Sequence, residues 1–167
     1  MLSIEERPHE VADRTIPGHW EGDLILGKHQ RTALGTLVER TTRYTLLVPL
    51  NTKDATSVRK AYAKALRSLP REITKTLTYD QGKEMSGHKQ FTLDTGITVY
   101  FAHPGSPWER GTNENTNGLL RQFFPKGTDF SKLTRRQIKR VQHLMNERPR
   151  KVLEWRSPYE AFNELLR

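Results

Sequence analysis

The chain has 167 residues, enough for one domain, with 28 Lys and Arg against 19 Asp and Glu and a formal net charge of +9. Cys is absent, which excludes disulfides, thiolate metal sites and Cys nucleophiles, so any metal must be held by carboxylates, His, carbonyls or water. No apolar run approaches the roughly 18 residues a membrane span needs, and residues 1–10 are polar and acidic rather than a secretory signal, so a cytoplasmic chain with no membrane partner is expected.

Residues 1–18 show no period and end in Pro17-Gly18, which reads as an N-terminal arm ahead of a domain over 19–167. Residues 19–26 alternate, with Trp20, Leu24 and Leu26 on one side and Glu21, Asp23 and Ile25 on the other, a strand with two acids on its second face. Residues 33–39 and 44–50 are further strands joined by the hairpin Arg40-Thr41-Thr42-Arg43, and Pro49 puts the second at a sheet edge. Asp54 caps a helix on which Val58, Ala61, Tyr62, Ala65, Leu66 and Leu69 recur at steps of three and four, and Pro70 ends it. Residues 76–79 form a strand running into the turn Asp80-Gln81-Gly82, residues 88–95 a short helix stopped by Gly96, and residues 97–101 a fifth strand. Ser106-Pro107-Trp108-Glu109 has the N-cap, proline and returning Glu of a helix start, predicting a helix to Phe124. Thr134 to Gln137 and Ser157 to Glu160 repeat that logic before two closing helices, the first burying Ile138, Val141, Leu144 and Met145. The sum is an α/β fold, a mixed five-stranded sheet flanked by helices.

Three acids stand out against their surroundings. Asp23 interrupts an apolar strand, where a carboxylate is depleted and costly if buried without a partner or a metal, although a strand exposed on one face would excuse it. Asp80 sits where a strand ends, the usual place for ligand-facing residues in α/β sheets and also an ordinary turn position. Glu114 lies in a helix crowded with Gly, Asn and Thr, all indifferent helix formers, and has Asn117 and Arg121 three and seven residues on. Taken alone it reads as an ordinary solvated Glu. If the three converge, oxygen donors without Cys favour Mg²⁺ or Mn²⁺ over zinc. Two such ions roughly 4 Å apart are suited to in-line phosphodiester chemistry.

The stretches His19-Trp20-Glu21-Gly22-Asp23-Leu24-Ile25, Ala33-Leu34-Gly35-Thr36-Leu37-Val38-Glu39-Arg40, Thr78-Tyr79-Asp80-Gln81-Gly82-Lys83-Glu84 and Ser106-Pro107-Trp108-Glu109-Arg110-Gly111-Thr112-Asn113-Glu114-Asn115 resemble the catalytic domain of the insertion-sequence-thirty family of bacterial transposases. The resemblance runs from about residue 3 to the C-terminus. It implies a ribonuclease-H-like, retroviral-integrase-like fold with an Asp, Asp, Glu triad at Asp23, Asp80 and Glu114, which would be both catalytic and metal-binding, with two Mg²⁺ or Mn²⁺ ions. Thirty-three residues separate Asp80 from Glu114, a spacing that suits the family, and Arg121 matches the basic residue it often carries seven positions after the Glu.

The implied activity is a DDE transposase: metal-dependent cleavage of DNA at an insertion-sequence end, then transfer of the free 3′-hydroxyl to target DNA. The implied partners are terminal inverted repeats, target DNA and further copies of the chain assembled on DNA, in a bacterial, nucleoid-associated setting. Family members usually begin with helix-turn-helix segments, whereas this chain starts almost at the catalytic domain. The alternative is therefore a DNA-binding remnant or regulator without useful catalysis, and a ribonuclease acting on hybrids is a third, weaker reading. Lys83, Arg110, Arg121 and Lys126 flank the triad and are candidate DNA phosphate contacts. Arg135, Arg136, Lys139 and Arg140, followed by Arg148, Arg150 and Lys151, read equally as a solvated helix face or a DNA track. Trp108 and Trp155 are expected in the core.

Overall fold

The computed structural model describes residues 1–13, 16–79, 85–103 and 111–167. In chain order the elements are β1 (Leu2–Ser3), α1 (His9–Asp13), β2 (His19–Leu26), β3 (Ala33–Glu39), β4 (Thr45–Pro49), α2 (Ala55–Arg67), β5 (Thr76–Tyr79), α3 (His88–Thr95), β6 (Thr98–Phe101), α4 (Gly111–Leu120), α5 (Arg135–Glu147) and α6 (Pro158–Leu165). The strands form one mixed sheet in the order β1-β6-β5-β2-β3-β4. The pairs β2–β3 and β3–β4 are antiparallel, and β5 runs parallel to both β2 and β6.

All five expected strands are present, and the arm supplies a sixth: β1 pairs in parallel with β6 through Leu2 opposite Tyr100 and Ser3 opposite Phe101. Two residues carry too little pattern to be read as a strand. The arm is also held by side chains, since Arg7 Nη1 donates to Thr78 Oγ1 at 3.2 Å and Arg40 Nε donates to the Val11 carbonyl at 3.1 Å.

The sheet separates two apolar clusters. One gathers Trp20, Leu37 and Leu77 with Val58, Tyr62 and Leu66 of α2, Phe91 of α3 and Phe162 of α6. The other gathers Ile25, Leu34 and Leu47 with Leu120 and Phe124 and with Ile138 and Met145 of α5. Strand alternation puts Asp23 on the same side as Ile25, under the second layer. Two glycines let aromatic rings lie against the strands: a Cβ on Gly22 would stand 2.8 Å from Tyr79 Cδ2, and one on Gly35 would stand 2.7 Å from Tyr62 Cε1.

The helix starts follow their caps. Asp54 accepts from Ser57 N, and Thr134 and Ser157 each close a reciprocal capping box with Gln137 and Glu160. Gly96 ends α3 at φ +76°, as a left-handed C-cap requires. The start expected at Ser106 lies outside the described residues; α4 gives way after Leu120 to a tighter turn in which Phe124 N still reaches Leu120 O at 2.9 Å. β4 is an edge strand, as Pro49 indicated. Its outward groups are met by α5: Asn146 Oδ1 accepts from Thr45 N at 2.9 Å, Asn146 Nδ2 donates to Thr45 O at 2.8 Å, and Gln142 Oε1 accepts from Leu47 N at 2.9 Å.

Two expected core residues are not in the core. Leu144, a further 100° or so round α5 from the buried Met145, is exposed. Trp155 is 67% exposed. It follows a short 3₁₀ turn over Lys151–Leu153, and both Glu154 and Trp155 adopt left-handed backbone at φ 55° and 67°, which swings the indole away from the packed side. Trp108 lies outside the described residues.

Candidate active site

Asp23 sits within β2, opposite Thr36 of β3. Its Oδ1 accepts from Leu24 N at 2.8 Å, and its Oδ2 accepts from Asn117 Nδ2 at 3.0 Å. Both of these donors are neutral, and together they orient the carboxylate. Its backbone is held as well: the Tyr62 hydroxyl donates to Asp23 O at 2.6 Å, and Thr36 Oγ1 lies 3.3 Å from that carbonyl and 3.4 Å from Asn117 Oδ1.

Asn117 belongs to α4, so this contact carries the helix onto the strand. The helix is fixed at both ends of the described stretch. Arg43 Nη1, in the β3–β4 turn, donates to Thr112 Oγ1, and Arg121 Nη2 donates to Leu26 O at 3.1 Å. Thr112 and Thr116 are buried beneath it, which accounts for small polar residues where a helix former would suit a solvated face better. Glu114 is in α4, one turn before Asn117.

The expected site residues divide accordingly. Asp23 and the backbone of Glu114 are brought to neighbouring elements. Asp80, Lys83 and Arg110 lie outside the described residues, as does the side chain of Glu114. Asp80 is the residue that follows β5 in sequence, and β5 lies beside β2 with Thr78 opposite Glu21. Arg121 is half-buried, with Nη1 also 3.4 Å from Phe124 O, so two backbone carbonyls hold its guanidinium; Lys126 is exposed. Arg135, Arg136, Lys139 and Arg140 are exposed on α5.

Next to Asp23 on the same face of β2, Glu21 is fully buried and paired with Arg40 at 2.5 Å. Glu39, also fully buried, accepts from Gly18 N, Thr41 N, Thr42 N and Thr42 Oγ1. His19, a residue earlier than Trp20, bonds Thr76 Oγ1 through Nδ1 at 2.8 Å and Glu10 Oε1 through Nε2 at 2.7 Å. Burial pushes its imidazole below the ordinary value of 6.5, against the opposing pull of Glu10. The sequence flagged two acids on this face but gave no sign of Arg40 as a partner, because the pair spans a hairpin. Tyr62 and Thr36 were likewise read only as packing and strand residues.

Residues 14–107 match the integrase core domain family, a span that includes Asp23 and Asp80 and stops before Glu114. The chain is 49% identical over 166 residues to the transposase of insertion sequence IS1086 from Cupriavidus metallidurans, covering 99% of this chain and 49% of that protein. It is 47% identical over 157 residues to transposase InsI of IS30A from Escherichia coli, covering 94% and 41%. The IS4351 transposase of Bacteroides fragilis is 40% identical over 165 residues, covering 99% and 50%. The chain thus spans about half the length of these curated relatives or less. In structure it resembles a chain of the simian T-cell lymphotropic virus intasome solved by cryo-EM with PP2A regulatory subunit B56 gamma: TM-score 0.61, 18% identity, 78% of this chain and 49% of that one.

Proposed function

Because the chain belongs to the integrase core domain family and shares sequence over nearly its whole length with transposases of the IS30 type, we propose that it is the catalytic part of a DNA transposase that cleaves and joins DNA strands through Asp23, Asp80 and Glu114. The observation that carries this reading is the Asn117–Asp23 hydrogen bond, which holds the helix containing Glu114 against the strand containing Asp23.

The donor set is made of carboxylates alone, and neutral donors hold the Asp23 carboxylate in place, so the residues fit a hard divalent cation, Mg²⁺ or Mn²⁺. When bound, a pair of such ions would supply electrostatic stabilisation to the attacking and leaving oxygens of an in-line displacement. The protein's own part is positioning. Leu24 N and Asn117 fix the Asp23 carboxylate, Tyr62 and Thr36 fix its backbone, and the rigid sheet keeps these groups in register. In the cleavage step a water oxygen bonds to phosphorus as the bond to the 3′-oxygen breaks, leaving a 3′-hydroxyl. In the joining step that hydroxyl attacks a target phosphodiester and displaces the target's own 3′-oxygen.

The partners on this reading are terminal repeats and target DNA, and joining two ends at one target calls for more than one copy. Among the described residues no helix is long and apolar enough to cross a membrane. The test is strand joining from pre-cut ends. The wild-type chain should join them with Mg²⁺ and stop on chelation, and Asp80→Asn and Glu114→Gln should bind DNA yet join nothing. Full joining by either variant would sink the triad.

A further inference from the structure

Arg150 follows α5 and is 92% buried, its relative exposure being 8%. Its Nε and Nη2 are buried with no hydrogen-bond partner among the described residues. Among the described residues no carboxylate is paired with it, and burial, followed by the like charge of Arg148, pushes its pKa down. A guanidinium without water or a counter-charge is costly and persists where something else supplies the anion. The loop around it is built rather than loose. Arg150 N donates to Arg156 O, Arg150 O accepts from Leu153 N and Trp155 N, Asn146 anchors the end of α5 to Thr45, and Ser157 caps α6 at once after the loop. On the outside of this fixed turn Val152 and Trp155 are each 67% exposed.

We propose that Arg150, with Arg148 beside it and Trp155 alongside, is a DNA phosphate subsite, the guanidinium taking a backbone phosphate while the indole packs on the adjoining sugar. Charge favours DNA as the occupant: the chain carries a surplus of nine positive charges. Because Nε and Nη2 have no hydrogen-bond partner among the described residues, swinging the guanidinium out to a phosphate breaks none of theirs. The inference rests on the proposed DNA function only for its choice of polyanion.

The test is binding of the full chain to a labelled duplex of about 30 base pairs, with chelator present, between about 50 and 200 mM salt. Losing one phosphate contact makes the slope of log K against log salt shallower by about 0.9. Arg150→Met should show that change and also unfold at a higher temperature than wild type, because an uncompensated buried charge is gone. Arg150→Lys should keep the slope and bind more weakly, the planar fork being lost. Trp155→Ala should weaken binding at every salt without altering the slope. An unchanged slope in Arg150→Met, together with a lower unfolding temperature, makes Arg150 a structural residue and overturns the proposal. So does an unchanged slope with loss of self-association, which would identify the anion as a carboxylate of a second copy. If wild type joins DNA ends while the slope is unmoved, the subsite alone fails; if wild type binds no duplex, the DNA reading fails with it.

Discussion

Asn117 Nδ2 donates to Asp23 Oδ2 at 3.0 Å, joining the middle of α4 to the middle of β2 across 94 residues of sequence. Groups that orient a metal-binding carboxylate typically contribute 10–100-fold to affinity or activity. Asn117→Ala should therefore lower Mg²⁺-dependent strand cleavage by about that factor while duplex binding in chelator stays near wild type. Asn117→Asp should be worse, since it sets one carboxylate against another. Equal cleavage by all three proteins would remove Asn117 from the site.

Behind Asp23, Tyr62 reaches the strand only because Gly35 has no side chain. Gly35→Ala would force the Tyr62 ring away from β3, at a cost of about 1–3 kcal/mol in overpacking. Tyr62→Phe keeps the shape and loses the hydrogen bond to Asp23 O, about 1 kcal/mol. Chemical denaturation should rank the two in that order, with the smaller loss for Tyr62→Phe.

The pair Glu21–Arg40 makes a different demand. Both side chains are almost wholly buried, 0% and 4% exposed. Removing one partner takes the salt-bridge counter-charge from a buried side chain, so Arg40→Met should destabilise the fold by about 3–5 kcal/mol, and the added change Glu21→Gln should recover a large part of it. A double-mutant cycle on unfolding free energies measures the coupling. Additive losses would mean the pair is not coupled.

His19 gives the fold a pH dependence with a definite sign. Its pKa in the folded protein is lowered, first by burial and in smaller part by Lys75, while Glu10 and Glu39 pull it up. The unfolded chain therefore takes up the proton first as pH falls. The contribution of neutral His19 is complete above about 6.5 and is lost as pH drops through that value toward the folded pKa. Unfolding midpoints should decline below pH 6.5 in wild type, and the decline should be shallower in His19→Gln. The same slope in both proteins would assign the effect to other groups.

What could be read from the sequence was local. Caps at Asp54, Thr134 and Ser157, the stop at Gly96 and the edge strand at Pro49 each follow from a few adjacent residues, and each stands in the structure. The oddity of Asp23 was also legible, as was the place of Asn117 three residues after Glu114. The contact between Asp23 and Asn117 was not, because alternation and helical period say which side a residue takes but not what faces it. Trp155 shows the opposite failure: its type argues for burial, and two consecutive left-handed residues, invisible to hydrophobic pattern, turn it outward.

The amides of Asn146 and Gln142 have a consequence for how copies of this chain can meet. Thr45, Leu47 and Pro49 are the positions from which β4 could offer N–H groups to another strand. The first two donate to α5, and the third, as proline, has none to give. That rim is closed to β-augmentation, which is also the route by which exposed rims aggregate. A second copy could extend the sheet there only by prising α5 off its own strand, so association along this rim must use helix faces or loops instead.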